Sequence, residues 1–395
     1  MQLNTPIAES LRIVLAGNRN AGKSSLLNSI FQKDVAIVSD VAGTTTDPVS
    51  RKIELFPVGP CVITDTAGLD DTGDLGDLRI EKSKEKLLES DLCLFVSRSD
   101  KKITESEKEF YSFLKEKKLA ALVVYTFYEN ADIKALEEKK QFFDGFDFIV
   151  TDNKNPSSYY ESLMKKIEKA ASSVQKEEGV LEGLVKEGDS VLLVCPIDSA
   201  APKARLILPE AETLRDCLDR HCVATVCQVN EIKQVYESLK KAPDLVITDS
   251  QAFGEVAGAI PESARLTSFS ILFARKKGDY DYFVKSLEHL KTLKKDAHIL
   301  IFEACSHHRQ DDDIGTVKIP RILRSKISAE LKIENVRQLP EDLSSVDLVI
   351  TCGGCMFTRN AMLNKLNGPF TKKIPVINYG LFLAWANGLF PRAGL

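Results

Sequence analysis

Short apolar runs alternate with amphipathic stretches along the first 172 residues. Arg12–Ala16, Val49–Phe56, Cys61–Asp65, Asp91–Ser97, Leu119–Tyr125 and Asp147–Thr151 have the length and texture of strands. Ser24–Phe31 and Glu105–Lys117 carry helical spacing between them. This alternation predicts a mostly parallel sheet covered on both faces. A charged helical run, Glu161–Lys176, followed by Glu177-Glu178-Gly179, marks a boundary. The alternating pattern then recurs on a smaller scale in residues 180–265, through Ser190–Cys195, Ala211–Asp219, Val223–Val226, Glu231–Lys240 and Leu245–Asp249. It recurs once more in residues 266–395, through Asp281–Leu293, His298–Cys305, Ile319–Leu331, Leu348–Cys352 and Ile377–Asn378. Three α/β domains are therefore expected, over residues 1–172, 180–265 and 266–395.

Composition narrows the class. The 395 residues are 44% hydrophobic and 28% charged, with a net charge of −4, the profile of a globular chain. Without a phosphate-attracting field, neither nucleic acid nor a membrane surface is an expected partner. Leu11–Ala16 is apolar but short and runs straight into a glycine-rich loop, which is not a secretion signal. No run approaches the roughly 18 apolar residues of a membrane span; the longest apolar-looking stretch, Ile377–Phe390, is interrupted by Asn378, Gly380, Asn387 and Gly388. A cytoplasmic location is expected. There the nine cysteines are not a disulfide set but buried hydrophobes or metal ligands.

Gly17-Asn18-Arg19-Asn20-Ala21-Gly22-Lys23-Ser24 fits the phosphate-loop pattern G-x-x-x-x-G-K-[ST]. The glycines let backbone N–H groups curl around an anion at the N-terminus of the next helix. Lys23 reaches the outer phosphates and the Ser24 hydroxyl binds Mg²⁺, with Ser25 beside it. The flanking strand and helix stand in the required order. Gly43-Thr44-Thr45-Thr46-Asp47 lies where a switch loop supplies a hydroxyl to the metal, with Thr45 as the ligand and Thr44 at the nucleotide. Asp65-Thr66-Ala67-Gly68 ends an apolar strand, where Asp65 would hold the metal through water and the Gly68 N–H would sense the terminal phosphate. Lys23, Asp65 and Gly68 are thus the candidate catalytic positions of a P-loop G domain taking a nucleoside triphosphate with Mg²⁺.

These motifs resemble the GTPases of the translation-factor-related class, in the branch with Gly-Thr-Thr in the switch loop. The resemblance implies that Asn20 helps bind a potassium ion that does part of the work of an arginine finger. Leu69 stands where many GTPases place a water-orienting glutamine, consistent with slow intrinsic hydrolysis or with another way of placing the water. One departure concerns the base. Asn-Lys-x-Asp should follow the strand Leu119–Tyr125, and Thr126-Phe127-Tyr128-Glu129 stands there instead. The second base-contacting segment, near Thr151-Asp152, also lacks its usual Ser-Ala. Triphosphate binding is therefore better supported than guanine selectivity.

Cys305-Ser306-His307-His308 follows one strand of the last domain and Cys352-Gly353-Gly354-Cys355 follows another. Parallel strands ending side by side would bring both motifs to the carboxyl edge of a sheet, where ligand sites gather. Three thiolates and an imidazole fit Cys₃His zinc or a [4Fe–4S] cluster with one exchangeable position. Softness alone does not choose between them. Cys61, Cys93, Cys195 and Cys227 lie in apolar segments and read as core. Cys217, His221 and Cys222 form a weaker trio near a helix end. His289 and His298 read as structural.

The order of these parts, with Glu303-Ala304-Cys305-Ser306-His307-His308, Asp313-Ile314-Gly315, Lys318-Ile319-Pro320 and Asn378-Tyr379-Gly380, resembles the HydF family, GTPase scaffolds of [FeFe]-hydrogenase maturation. The resemblance covers essentially the whole chain. It implies a homodimer formed by the middle domain and a [4Fe–4S] cluster held by Cys305, Cys352 and Cys355. Thr351 occupies the place of a second histidine found in many members. That leaves His307 as the expected fourth ligand, with His308 and Glu303 behind it. The family role implies a carrier that receives a di-iron precursor and delivers it to apo [FeFe]-hydrogenase, with two radical-SAM maturases as further partners. The competing expectation is a nucleotide-dependent regulatory switch with a structural zinc site.

Overall fold

The computed structural model describes residues 10–33, 39–41, 49–71, 74–152, 154–174, 179–197, 206–304 and 313–394, and turns the alternating pattern into three open sheets. Seven strands come first: β1 (Leu11–Ala16), β2 (Ser39–Val41), β3 (Val49–Leu55), β4 (Gly59–Asp65), β5 (Leu92–Arg98), β6 (Ala121–Thr126) and β7 (Asp147–Val150). They lie in the order β2-β3-β4-β1-β5-β6-β7. Pairing is parallel from β4 through β7, and β2 and β3 join antiparallel at one edge. Helices α1 (Lys23–Lys33), α2 (Asp74–Leu88), α3 (Glu105–Glu116), α4 (Ile133–Phe142) and α5 (Tyr160–Val174) connect them.

Central strands of such a sheet are buried on both faces, which is why they read as continuous apolar runs. Ile13, Leu15, Leu94 and Val96 belong to the core on one face. Val14, Ala16, Cys93 and Phe95 belong to the core on the other. The period of two assigns neighbours to opposite layers.

One buried polar knot ties α3 and α4 to β5. Glu107 closes a capping box with Thr104 at the start of α3, and its Oε1 accepts from Ser97 Oγ at 2.6 Å. Lys139 of α4, only 1% exposed, donates to Glu107 Oε1 at 3.1 Å, Ser97 Oγ at 2.8 Å and the Arg98 carbonyl at 2.9 Å. Burial holds the lysine below its ordinary range, and Glu107 pulls it back up.

Contacts divide the chain into Met1–Lys176 and Glu177–Leu395. The second unit holds two four-stranded sheets. Strands β8 (Ser190–Val194), β9 (Val223–Cys227), β10 (Leu245–Thr248) and β11 (Leu266–Ser268) run in the order β11-β10-β8-β9. Strands β12 (His298–Phe302), β13 (Lys332–Val336), β14 (Leu348–Thr351) and β15 (Val376–Asn378) run in the order β13-β12-β14-β15. Every pairing in both is parallel. The connecting helices are α6 (Leu208–Asp219), α7 (Ile232–Ser238), α8 (Phe253–Ala259), α9 (Phe269–Lys277), α10 (Tyr280–Ser286), α11 (Ile319–Lys326), α12 (Arg359–Thr371) and α13 (Tyr379–Ala386).

The middle sheet extends past residue 265, because β11 pairs with β10. One continuous core joins the two sheets, running from Leu192, Val246 and Leu266 to Leu300, Val349 and Val376. Helix α9 is buried on most of its circumference, as a helix packed on both sides must be. Its Ile271 and Ala274 enter that shared core, while Phe269, Leu272 and Phe273 pack against the other face of the middle sheet. Among the described residues no helix is long and apolar enough to cross a membrane.

Removing one partner of a buried ion pair strands the other charge, at a cost of about 3–5 kcal/mol. Lys139→Ala is expected to lower the stability of the first unit by about 3 kcal/mol in urea unfolding, whereas Lys140→Ala, whose Glu137 pairing lies near the surface, should change it by less than about 0.5 kcal/mol.

Candidate functional site

The phosphate loop joins β1 to α1. Gly17 is required by contact: a Cβ there would sit 2.1 Å from the Val96 carbonyl oxygen of β5. Asn20 turns the chain with a φ of 56°, a conformation asparagine tolerates. Ala21 is buried, and Ser24 and Ser25 are exposed at the start of α1. Lys23 is folded back along the loop, its Nζ donating to the carbonyls of Gly17 at 2.7 Å and Asn18 at 3.0 Å.

Across the loop lies the end of β4. Ser24 Oγ donates to Asp65 Oδ2 at 3.3 Å. Asp65 Oδ1 is shielded from solvent and has no hydrogen-bond partner. Burial raises the Asp65 carboxyl above its ordinary range, against the pull of Lys23. Burial likewise lowers the Lys23 ammonium, against Asp65, Asp70 and Asp71. Two desolvated opposite charges thus flank the loop, poised for a polyphosphate on one side and a hydrated cation on the other. Gly68 is hemmed in, with a Cβ meeting Arg19 Cγ at 2.5 Å and Asp70 Oδ1 at 2.9 Å. Leu69 donates its N–H to the Gly17 carbonyl at 3.3 Å, so the segment after β4 is fastened to the loop. Thr44 and Thr45 lie outside the described residues.

The departure at the base-reading position has a structural counterpart. Thr126 Oγ1 donates to the Ala21 carbonyl at 2.6 Å, tethering the end of β6 to the phosphate loop. Phe127 takes a left-handed conformation, and the Arg98 guanidinium lies 4.0 Å from the centre of its ring. Arg98 donates in turn to the Asn20 carbonyl at 3.2 Å and pairs with Asp100 at 2.7 Å. Glu129 Oε2 is shielded and has no hydrogen-bond partner. This hydroxyl tether and the Arg98–Phe127 stack were not foreseen. Their only sequence signal was the unusual run Thr126-Phe127-Tyr128-Glu129 at the end of β6.

In the second unit, β12 and β14 pair in parallel with Phe302 opposite Thr351, and Cys352 N–H donates to the Phe302 carbonyl at 3.2 Å. Cys352 is therefore fixed beside the end of β12, and Glu303 is held by its N–H to the Val336 carbonyl at 2.9 Å. Cys305, His307 and His308 lie outside the described residues, and among the described residues no three His, Cys, Asp or Glu side chains form a metal group. Gly354, at a φ of 61°, reverses the chain between Cys352 and Cys355, and a Cβ there would strike Met362 Sδ at 2.7 Å. Lys277, 1% exposed, donates to the carbonyls of Cys355 at 3.2 Å and Phe357 at 2.7 Å. A buried cation on the loop and the unpaired Asn378 Nδ2 at the adjoining strand end suit an anionic, sulfur-rich occupant. The residues present thus fit a thiolate-held cluster.

The remaining cysteines behave as core. Cys61, Cys93, Cys195 and Cys227 are buried and form no disulfide. Burial foremost, with nearby carboxylates behind it, pushes Cys195 up to about 12 and Cys227 up to about 11. In the weaker trio, Cys217 and Cys222 are also buried and form no disulfide, while His221 is exposed.

Three family models match the chain. One described as the hydrogen maturase F tetramerization domain matches residues 281–394. One described as the hydrogen maturase F dimerization domain matches residues 180–278. One described as a 50S ribosome-binding GTPase matches residues 12–127. Among curated relatives, the tRNA modification GTPase MnmE of Aquifex aeolicus is 40% identical over 112 residues, 28% of this chain and 25% of that protein. The MnmE of Clostridioides difficile is 39% identical over 136 residues, 34% of this chain and 28% of that protein. The chain thus spans about a quarter of the length of these relatives. Among solved structures, the G domain of the T. maritima FeoB iron transporter matches with a TM-score of 0.32 and 20% identity, covering 41% of this chain and 99% of that one. A point variant of Aquifex aeolicus Era bound to GDP·AlF4⁻ matches with a TM-score of 0.35 and 17% identity, covering 55% of this chain and 92% of that one.

Thr126→Val keeps the shape but leaves the Ala21 carbonyl unpaired, at a cost of about 1–3 kcal/mol. Nucleotide affinity, followed with a fluorescent GTP analogue, is expected to fall about tenfold, and Thr126→Asn should restore most of it by supplying a new donor.

Proposed function

The chain belongs to the HydF family, and from that membership we propose that it is a cytoplasmic scaffold for hydrogenase maturation. It would carry a di-iron precursor on an iron–sulfur site and deliver it to apo [FeFe]-hydrogenase, receiving its cargo through radical-SAM maturases. The observation that carries this reading is the Cys352–Cys355 loop, held at the carboxyl edge of a parallel sheet by the Cys352–Phe302 hydrogen bond and backed by Lys277.

Cys305, Cys352 and Cys355 would hold the cluster, with His307 as the weak fourth ligand. A [4Fe–4S] cluster so bound supplies one iron with an exchangeable position. The protein's part is to anchor three sulfurs firmly and leave the fourth contact weak, so that cargo can bind and depart without loss of the anchorage.

The G domain would bind GTP with Mg²⁺ and hydrolyse it slowly. Lys23 would pair with the outer phosphates. Ser24, Thr45 and Asp65 would hold the hydrated Mg²⁺, Gly68 would sense the terminal phosphate, and Asn20 would contribute to a potassium site. Glu129 would read the base: a carboxylate accepts from N1–H and N2–H of guanine, whereas adenine presents a lone pair at N1. Nucleotide state would then bias the switch loop and with it docking or cargo release.

Oligomerisation is supported by the two matched family models. We place the homodimer contact on β9, the edge strand of the middle sheet, where Val223 and Val226 are 61% and 44% exposed. An unpaired edge with exposed apolar side chains is a template for pairing with a second copy.

The two sites should separate on mutation. Lys23→Ala is expected to abolish GTP hydrolysis and leave the iron content of anaerobically isolated protein unchanged. Cys305→Ala should lose iron and keep hydrolysis; full iron retention in that variant would remove the ligand assignment. For the base, unlabelled ATP should displace bound GTP at least about tenfold less effectively than GTP does. Glu129→Gln should weaken GTP by about tenfold or more and favour xanthosine triphosphate, whose C2 carbonyl accepts from an amide. Equal displacement by ATP and GTP would show that selectivity is gone.

A further inference from the structure

Asn378 ends β15, the strand next to β14, and its ladder partner is Thr351, the residue before Cys352. The side chain is completely buried. Its amide orientation is fixed by chemistry, because Oδ1 accepts from Gly380 N–H at 2.7 Å and from Ser270 Oγ at 3.2 Å. Only the carbonyl oxygen can accept, so the other arm is Nδ2, a donor. That donor is shielded from solvent and has no hydrogen-bond partner. Leaving such a group unpaired is costly, and a buried polar atom in this position calls for an explanation by function.

Its surroundings point to the cysteine loop. Ser270 Oγ lies 3.7 Å from where a Cβ of Gly353 would stand, so Ser270, which holds Asn378, borders the cysteine loop. Lys277, further along α9, is anchored to the carbonyls of Cys355 and Phe357 from the same helix. The loop that carries two thiolates is thus bordered by a buried ammonium and a buried unpaired amide donor. Both favour an occupant with negative charge and hydrogen-bond-accepting atoms.

We propose that Asn378 Nδ2 donates a hydrogen bond to a sulfur of the iron–sulfur centre held at Cys352 and Cys355. This rests on the reading of that loop as a cluster site. Thiolate and sulfide sulfurs accept N–H hydrogen bonds, and each such bond stabilises the more negative, reduced state. Asn378 therefore acts as a ligand-binding residue that raises the reduction potential of the centre, and Ser270 and Gly380 hold it in orientation.

The test uses the full chain, isolated anaerobically, with iron and acid-labile sulfide measured first. In wild-type protein labelled with ¹⁵N in asparagine side chains, pulsed EPR of the reduced centre should show a weakly coupled nitrogen. That coupling should vanish in Asn378→Leu. The same variant should shift the oxidised-to-reduced ratio about tenfold toward the oxidised form, or ~59 mV for one electron, in an EPR-monitored titration. Ser270→Ala, which leaves the donor in place, should shift it far less. Absence of the nitrogen coupling in an iron-loaded wild-type chain overturns the proposal without reference to any variant, as does an unchanged potential in a folded Asn378→Leu. A wild-type chain that carries no iron and sulfide overturns the cluster reading itself, and this inference with it.

Discussion

The hydrogen bond from Cys352 N–H to the Phe302 carbonyl is the constraint on which the cysteine site depends. It extends the parallel ladder of β12 and β14 by one residue and so sets where each strand gives way to loop. A slip of one residue would send every side chain beyond it to the opposite face. With Phe302 opposite Thr351, the motif after β14 is forced to start beside the end of β12. Gly354, at a φ of 61°, then turns the chain between Cys352 and Cys355. Buried polar groups at that edge, Lys277 and Asn378, have meaning only in relation to this register.

The nucleotide site follows the same logic at a different sheet. Strand ends again gather the chemistry: β1 leads into the phosphate loop, β4 into Asp65–Gly68, and β6 into Thr126–Glu129. Here the tether is the Thr126 hydroxyl on the Ala21 carbonyl. Burial sets Lys23 and Asp65 against their charged forms, so an anion and a cation entering together relieve both. The two candidate sites thus share one physical device, loops at the carboxyl edge of a parallel sheet.

Much of this was legible in the residues. The strands of the first sheet were readable because central parallel strands are apolar on both faces, as Leu92–Arg98 is. Gly17–Ser24 and Cys352–Cys355 were readable because glycine, lysine and cysteine at fixed spacing carry their chemistry with them. What escaped has physical causes. Strand β13 (Lys332–Val336) is charged and half-exposed at a sheet edge, so no apolar run announces it. Strand β11 spans only Leu266–Ser268. Helices α9 and α13 are buried on most sides, and buried helices lose the amphipathic period that reveals surface ones. The Arg98–Phe127 stack joins β5 to the end of β6, and no local pattern records a contact across strands. The roles assigned to Cys305, His307, Thr44 and Thr45 belong to the sequence alone.

The central claim is that three sulfurs from two strand ends hold an iron–sulfur centre. Its most direct test is the iron, sulfide and zinc content of the chain isolated without oxygen. The account predicts roughly four iron and four sulfide per chain, no stoichiometric zinc, and a brown protein. One zinc per chain with neither iron nor sulfide, in a colourless protein, would contradict it.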